Sequence, residues 1–304
     1  MASKEENEEF NIMTDIENIH NYLENKETSK LVEIICKRSN SQRQKIKETY
    51  YSNYGTELGK ELNSKLSGKI KELIEGVMMT PEEYDVNGIY DAIAGLGTDE
   101  LRLSEILATR PSRHLFQVKE KYPLLKKETL DQAIIGDTSG CYQKILIAMA
   151  QGKRSDNPYP NSQKMKEIVE KLKPNDKGKI AEDVLVQYFS TCSYGEICTI
   201  CRFFEKTYNQ SILDAIKKSC DKDTYNFCNI FLQYIADPGT YFAKVLHEFK
   251  EKDLNRILIA KSEVNMDEIR DAYKELYNTD FINDLKEKTS GDYQLGLTIL
   301  AQKE

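Results

Sequence analysis

Apolar residues recur along this chain at spacings of three and four, in four blocks that follow the same order. The blocks are aligned by four anchor positions: Arg38, Arg110, Cys192 and Lys261. Eight and twelve residues after each anchor stand the pairs Ile46 and Tyr50, Val118 and Tyr122, Ile200 and Phe204, and Ile269 and Tyr273. Side chains three or four positions apart share one face of a helix, so this spacing predicts amphipathic helices.

The register holds as far as twenty-nine residues after each anchor, where three of the four blocks open a Ser-Gly pair and the third reads Asp221-Lys222. The pairs are Ser67-Gly68, Ser139-Gly140 and Ser290-Gly291. Units that carry identical apolar faces must pack against one another to bury them. The sequence therefore predicts an all-α fold of four helical repeats with about five helices each. In a generic helical solenoid the same apolar positions would be core and nothing more.

The anchors lie 72, 82 and 69 residues apart, so the extra length falls between the second and third repeats. There the stretch 152–162 holds two prolines and no periodicity, which is typical of a linker between two halves. The predicted segments are an N-terminal tail at 1–10, repeats at 11–80, 81–152, 163–238 and 239–304, and the linker at 153–162.

Composition narrows the class of protein. Charged residues make up 31% of the 304 positions and the mean hydropathy is -0.60, which excludes an integral membrane protein. The polar, acidic start has no secretory pattern, so we expect a cytoplasmic protein with its seven cysteines reduced. A net charge of -7 argues against nucleic-acid binding and predicts repulsion from an anionic lipid surface unless a cation intervenes.

One loop in the second repeat carries candidate chemistry. Gly95 and Gly97 open a turn between two helical segments, and glycine there frees backbone carbonyls to serve as hard oxygen ligands for a cation. Asp137 follows Thr98 by 39 residues, and the apolar register brings it beside the loop. Taken singly, two glycines in a tight turn and an aspartate that caps a helix would be structural features.

Gly95-Leu96-Gly97-Thr98 with Asp137 resembles the annexin family, whose repeats carry Gly-x-Gly-Thr followed, after 38 intervening residues, by an acidic ligand. The resemblance covers roughly the whole chain and includes the segment Lys37-Arg38-Ser39-Asn40-Ser41-Gln42-Arg43-Gln44. It implies a slightly curved disc that binds acidic phospholipid membranes through calcium. It also implies a position at the inner face of the plasma membrane and links to cytoskeletal or other proteins.

The resemblance further implies a ligand set. The ion would be held by the carbonyls of Ile93, Gly95 and Gly97 and by the carboxylate of Asp137, with a weaker second site at the Thr98 carbonyl and Glu100. Leu96 would meet the membrane. Calcium prefers about six to eight oxygens, so water or a lipid phosphate would complete the shell.

The other three repeats lack this set. The position of Asp137 is held by Lys65, Ser219 and Lys288, and the loops before them have lost the Gly-x-Gly turn. We therefore expect one calcium site. Lys65 and Lys288 are candidates for direct contact with lipid phosphates, although lysines on a solvated face would look the same. Asp221 and Asp223 could hold an atypical ion or simply begin a helix.

A zinc-binding protein and an enzyme are two other classes to which the sequence could belong. Cys198 and Cys201 have a spacing that zinc sites use, but no histidine follows at ligand spacing, so small buried thiols are the favoured interpretation. None of the three histidines lies in a catalytic motif, which argues against an enzyme. The rival function is a largely calcium-independent scaffold that binds cytoskeletal or other proteins, as the resemblance to the alpha-giardins implies.

Overall fold

The computed structural model describes residues 10–95 and 97–303, and this part of the chain folds into twenty α-helices without a strand. The helices of the first repeat are α1 (Ile12–Asn25), α2 (Thr28–Lys37), α3 (Asn40–Tyr54), α4 (Leu58–Lys65) and α5 (Gly68–Met78). Those of the second are α6 (Pro81–Ile93), α7 (Glu100–Thr109), α8 (Ser112–Lys126), α9 (Leu130–Asp137) and α10 (Gly140–Ala150).

The third and fourth repeats also hold five helices each. The third contains α11 (Ser162–Lys171), α12 (Glu182–Thr191), α13 (Tyr194–Tyr208), α14 (Ile212–Ser219) and α15 (Lys222–Ala236). The fourth contains α16 (Pro238–His247), α17 (Glu251–Lys261), α18 (Met266–Tyr277), α19 (Phe281–Lys288) and α20 (Gly291–Ala301). The all-α fold with five helices per repeat is confirmed.

The apolar stripes form the core. The side chains eight residues after the four anchors are each at most 1% exposed, and so are the four aromatic side chains one turn later. The first set is Ile46, Val118, Ile200 and Ile269. A buried side chain of this size contributes roughly 1.5 to 3 kcal/mol. The spacing that predicted the helices therefore also identifies the side chains that hold each repeat together.

The fourth helix of every repeat is eight residues long and ends on the residue two positions before the Ser-Gly register. In three repeats the next helix begins at the glycine of the pair, whose φ lies between 60 and 65°. An L-residue rarely adopts that conformation, which accounts for glycine at this position. The result is a fixed corner that carries Lys65, Asp137, Ser219 or Lys288.

The helices group into two compact units that differ from the halves suggested by the linker. One unit ends at Pro81 and resumes at Gly239, and the other spans Glu82–Pro238. The first repeat therefore packs with the fourth and the second with the third. The predicted linker at 153–162 lies inside the second unit, where Ser155 N–H donates to the Thr191 carbonyl at 2.8 Å. A proline-containing gap marks a break between helices, but the apolar faces decide which repeats pack together.

Within the first unit, α2 packs on α20 and on α5. Within the second, α7 packs on α15, and α10 packs on α12. No helix among the described residues is long and apolar enough to cross a bilayer.

Candidate calcium site in the second repeat

The loop between α6 and α7 is closed by its own backbone. Ala94 N–H donates to the Tyr90 carbonyl at 2.7 Å, and Asp99 N–H reaches back to the Ala92 carbonyl, also at 2.7 Å. The Asp99 side chain then caps α7 by accepting the N–H of Arg102 at 3.1 Å. Both ends of the loop are therefore anchored to helices, which restricts the backbone between them.

Both glycines of the loop adopt backbone conformations that favour glycine. Gly95 has φ 115° and Gly97 has φ 92°. A Cβ atom at either position would meet nothing within 4 Å, so the requirement for glycine is conformational and does not come from crowding. Both glycines are exposed, while the side chain of Ile93 is buried and fixes the start of the loop. Leu96 lies outside the described residues.

Asp137 stands beside this loop. It is the last residue of α9, its side chain is exposed, and its backbone carbonyl accepts a hydrogen bond from the Thr98 hydroxyl at 3.2 Å. The corner after it is secured because Thr138 N–H donates to the Ile134 carbonyl at 3.0 Å and the Gln143 amide donates to the Thr138 carbonyl. The structure thus brings together residues 39 positions apart.

Glu100 begins α7 and is half-buried beside the same loop. Its carbonyl accepts the Tyr142 hydroxyl at 3.0 Å, and the Tyr142 oxygen is also paired with Ser104 at 2.8 Å. Burial raises the pKa of Tyr142, and the nearby Glu100 acts in the same direction. Glu100 therefore lies close to the loop with its backbone held by α10.

Exposed apolar side chains flank the loop. Leu101, in the first turn of α7, is 62% exposed, and Ile135, two residues before Asp137, is 55% exposed. Neither residue was predicted from the sequence, because both fall off the apolar stripes. The sequence signal that could have identified them is a large apolar residue within two positions of a predicted ligand, on the polar side of its helix.

The first repeat replaces the acid with an ion pair. Lys65 occupies the end of α4, and its ammonium donates to the Glu24 carboxylate at 3.1 Å. Glu24 belongs to the last turn of α1, directly before the loop, where Lys26 adopts a left-handed φ of 59°. The Lys65 hydrogen bond and charge lower the pKa of Glu24. The lysine that was predicted to face lipid thus already has a carboxylate partner.

The fourth repeat makes a cation–π contact at the same corner. The Lys288 ammonium lies 3.8 Å from the ring centroid of Phe249, a loop residue with a left-handed φ of 48°. The ring of Phe249 also lies 5.9 Å from that of Phe281. Lys288 itself is exposed. The aromatic ring therefore holds the Lys288 ammonium in place without neutralising its charge, and the ammonium stays accessible at the surface.

In the third repeat a serine bonds the loop directly. The Ser219 hydroxyl accepts the N–H of Ile180 at 2.8 Å and donates to the Ala215 carbonyl at 2.6 Å. Ser219 follows Ile180 by 39 positions, as Asp137 follows Thr98. Each corner thus contacts the loop of its own repeat or, in the first repeat, the helical turn directly before that loop, and the carboxylate is present at the second corner alone.

The remaining metal candidates have structural roles in this fold. Asp221 caps α15 by accepting Thr224 N–H at 2.7 Å, which supports the interpretation that it begins a helix. Cys198 and Cys201 lie within α13. Across residues 10–95 and 97–303, no three His, Cys, Asp or Glu side chains form a group that could hold a metal ion. A site of backbone carbonyls and one carboxylate is of a different kind, and it suits a hard cation such as calcium.

Comparison with known proteins decides the family. The family model named Annexin matches residues 22–77, 84–149 and 242–300, which is more than half of the chain. The chain belongs to the annexin family. It is 32% identical to annexin A10 of the mouse over 298 residues, covering 95% of this chain and 92% of that protein. Annexins bind calcium and phospholipid, so the family agrees with the chemistry expected of the loop.

Solved structures show the same annexin fold. A structure titled annexin III matches with a TM-score of 0.92 at 26% identity, covering 97% of this chain and 95% of that one. The calcium-bound structure of alpha-14 giardin matches with a TM-score of 0.77 at 17% identity, covering 95% and 99%. The giardin likeness shows the fold alone. The stretch 150–241 lies between matched segments of the family model, and it contains most of the third repeat.

Proposed function

We propose that this annexin binds one calcium ion in the loop of its second repeat and through it attaches to acidic phospholipid membranes. The ligands would be the carbonyls of Ile93, Gly95 and Gly97 with the carboxylate of Asp137. The contact that carries the proposal is the bond from the Thr98 hydroxyl to the Asp137 carbonyl, because it joins the glycine loop to the end of α9. Thr98 and Glu100 would form the weaker second site.

The surface around the loop supports attachment to lipid. Leu101 and Ile135 are exposed beside the proposed ligands, and Leu96 lies between the two glycines in the sequence. A phosphate oxygen that completes the calcium shell would bring acyl chains and apolar side chains near each other. By linkage, lipid that supplies a ligand must tighten calcium binding by the same factor. The protein would attach in this way to the inner face of the plasma membrane.

Cosedimentation with vesicles that contain phosphatidylserine tests the proposal over a calcium series. Asp137→Asn is expected to abolish calcium-dependent pelleting or to raise the half-maximal calcium concentration at least tenfold. Glu275→Gln is the matched control, since it also removes one exposed negative charge but lies in α18. Equal pelleting of wild type and Asp137→Asn at every calcium concentration would refute the assigned site.

A second candidate function rests on the three altered corners. These corners make an ion pair, a cation–π contact and a serine hydrogen bond in place of a carboxylate ligand, so three of the four repeats lack the acidic ligand for calcium. Such a chain would suit a calcium-independent scaffold for cytoskeletal or other proteins. Pelleting with vesicles that is indifferent both to calcium and to Asp137→Asn would favour this scaffold over the first proposal.

Lys65 and Lys288 belong to the same test. Lys288 is the better candidate for a lipid phosphate, because its contact is an aromatic ring, whereas Lys65 is paired with Glu24. Lys288→Gln is expected to weaken calcium-free binding at low salt, and Lys65→Gln should change it less. If neither variant alters calcium-free binding or its salt dependence, both lysines are solvated side chains.

A further inference from the structure

Six exposed lysines gather at the loop and the corner of the third repeat, and we call them the lysine cluster. Three lie in the loop between α11 and α12, and three lie where α14 meets α15. They are Lys173, Lys177 and Lys179, and Lys217, Lys218 and Lys222. All six fall in the stretch 150–241, between matched segments of the annexin family model, so membership of the family does not imply them.

Loop and corner are in direct contact, so the two halves of the lysine cluster share one surface. The serine hydrogen bond described above joins the corner to the end of the loop. A Cβ atom built on Gly178 would lie 3.2 Å from the Nζ of Lys218, so this side chain lies over the turn of the loop. Lys177 and Lys179 flank the same glycine in the sequence. Lysines from both halves of the cluster therefore meet at Gly178.

The loop that carries these lysines is held by its own hydrogen bonds. The Asn175 side chain accepts the N–H groups of Lys177 and Lys179, both at 3.0 Å, and Asn175 N–H donates to the Lys179 carbonyl at 2.9 Å. Gly178 N–H donates to the Asn175 carbonyl at 2.8 Å, with a left-handed φ of 72° at the glycine. The lysine backbones are thus fixed before any ligand arrives, which reduces the conformational entropy that binding costs.

The ammonium groups of the lysine cluster are not neutralised by carboxylates. In the part of the chain that the structure describes, none of the six forms an ion pair. Lys217 lies 5.9 Å from the ring centroid of Tyr225, and Lys218 donates to the Gln210 amide oxygen at 3.3 Å. Neither contact removes the charge of the lysine, so the cluster presents positive charge to the solvent.

Nearby acidic side chains do not cancel this charge. Asp221 accepts Thr224 N–H at 2.7 Å and the Thr224 hydroxyl at 3.0 Å, so its carboxylate is engaged at the start of α15. Asp183, in the first turn of α12, pairs with Lys144 of α10 at 2.9 Å. Within the loop, the exposed Asp176 is outnumbered by three lysines. Two further acids near the cluster are half-buried, Asp223 and Glu182. Positive charge therefore prevails at this surface, although the whole chain carries a net charge of -7.

The lysine cluster lies beside the proposed calcium corner in one compact unit. Both belong to the unit Glu82–Pro238, where α10 packs on α12 and on α15. A Cβ atom built on Gly140, three residues after Asp137, would lie 3.5 Å from a carboxylate oxygen of Asp221, the N-cap of α15. The corners of the second and third repeats are therefore neighbours. A membrane that reaches the calcium loop would meet the third corner as well.

We propose that the lysine cluster binds the multiply phosphorylated headgroup of a phosphoinositide in an anionic membrane, without calcium. Clusters of roughly four to eight basic residues at a membrane surface attract phosphoinositides and other anionic lipids. A headgroup with several phosphates concentrates its charge within the span of one loop, whereas lipids of single charge spread theirs over the surface. The choice of a membrane as partner rests on the proposed function, because that function places lipid at the neighbouring corner. The third repeat would carry fixed positive charge where the second would recruit a calcium ion.

Vesicle pelleting at low salt with a calcium chelator tests the lysine cluster. The full chain is expected to bind phosphatidylcholine vesicles that contain phosphatidylinositol bisphosphate more tightly than phosphatidylserine vesicles of the same total charge. The triple variant Lys177→Gln, Lys179→Gln and Lys218→Gln should raise the half-maximal concentration of phosphoinositide vesicles at least tenfold, because each ammonium at the surface contributes roughly a factor of five.

The matched control removes the same charge from other exposed lysines. Its three substitutions lie in the third helices of three repeats, away from the corners, and they are Lys45→Gln, Lys206→Gln and Lys274→Gln. This variant should bind the phosphoinositide vesicles within about twofold of wild type, since only general screening is altered. Asp137→Asn should also bind like wild type when calcium is chelated, so failure of the lysine cluster is distinguishable from failure of the calcium site.

Any of three results would overturn the proposal. The first is wild type that does not pellet with the phosphoinositide vesicles, or that binds both vesicle types equally. The second is an equal effect of the cluster variant and its control. The third is a cluster variant that loses retention on heparin and keeps its vesicle binding, which would assign the lysines to a sulfated polysaccharide. Helical content measured by circular dichroism shows that each variant is folded.

Discussion

Gly97 shows how a single residue sets the shape of the loop that we propose binds calcium. Its φ of 92° is strained for any L-residue, although a methyl group there would meet no atom within 4 Å. Gly97→Ala is expected to lower the free energy of unfolding by about 1 to 2 kcal/mol, and to raise the calcium concentration needed for vesicle pelleting. Urea unfolding and cosedimentation measure the two effects.

The control for Gly97 is another glycine with open space and ordinary backbone geometry. Gly59 lies in α4, and a Cβ atom there also meets nothing within 4 Å. Gly59→Ala should leave stability unchanged or raise it by up to about 1 kcal/mol, with calcium dependence unaltered. If both substitutions have the same effect, conformational strain at Gly97 is not what shapes the loop.

Glu24 offers a second prediction at the scale of one residue. Its carboxylate pairs with Lys65 at 3.1 Å and thereby neutralises the cation that stands where an acidic ligand would be. Glu24→Gln should free this ammonium and increase calcium-free pelleting with anionic vesicles at low salt, with the gain lost as ionic strength screens the surface. The double variant with Lys65→Gln should return to the wild-type level. An increase that persists in the double variant would show that Lys65 is not responsible.

At the scale of helices, the sequence allowed the helices to be predicted but not the contacts that their side chains and repeats make with one another. The apolar spacing predicted the repeats, and the 39-residue interval placed Asp137 against the loop, because both follow from helical geometry. The ion pair of Lys65 with Glu24 and the cation–π contact of Lys288 with Phe249 could not be predicted. Lysine side chains are long and flexible, so their contacts depend on local geometry that the sequence does not give. Nor could the linker at 153–162 reveal that the second repeat packs with the third.

Helices α6, α7 and α8 are joined by one buried carboxylate, which makes their packing sensitive to acid. The Asp85 carboxylate accepts two hydrogen bonds from the Arg110 guanidinium, at 2.7 and 3.0 Å, and its Oδ2 lies 2.8 Å from Nε2 of His114. Burial alone would raise the pKa of Asp85, but Arg110 and His114 hold it well below its usual range. The carboxylate therefore stabilises the fold above its unfolded pKa of about 3.9, and this stability is lost as pH falls through the lower folded value.

Asp85→Asn is accordingly expected to cost about 3 to 5 kcal/mol at pH 7, because it leaves Arg110 buried without its anion. Urea midpoints at pH 7 and pH 3 check this. Between pH 7 and pH 3 the wild type should lose more free energy of unfolding than the variant, because the variant has already lost the contribution of the Asp85 carboxylate. Glu275→Gln, on the exposed side of α18, should follow the wild type at both values. A variant that keeps the full acid sensitivity would place the titrating group elsewhere.

For the molecule as a whole, a net charge of -7 makes calcium the expected source of attraction to an anionic membrane, and the four corners allow one experiment to locate it. A ligand at 100 times its dissociation constant stabilises the folded state by about 2.7 kcal/mol. Hydrogen exchange with and without calcium should therefore show added protection in the peptides that cover 93–100 and 130–141. The matching peptides of the first repeat, 21–28 and 58–69, should be unchanged because Lys65 and Glu24 already neutralise each other. Protection that rises equally in all four repeats would mean that calcium acts on this acidic chain by general charge screening and not through Asp137.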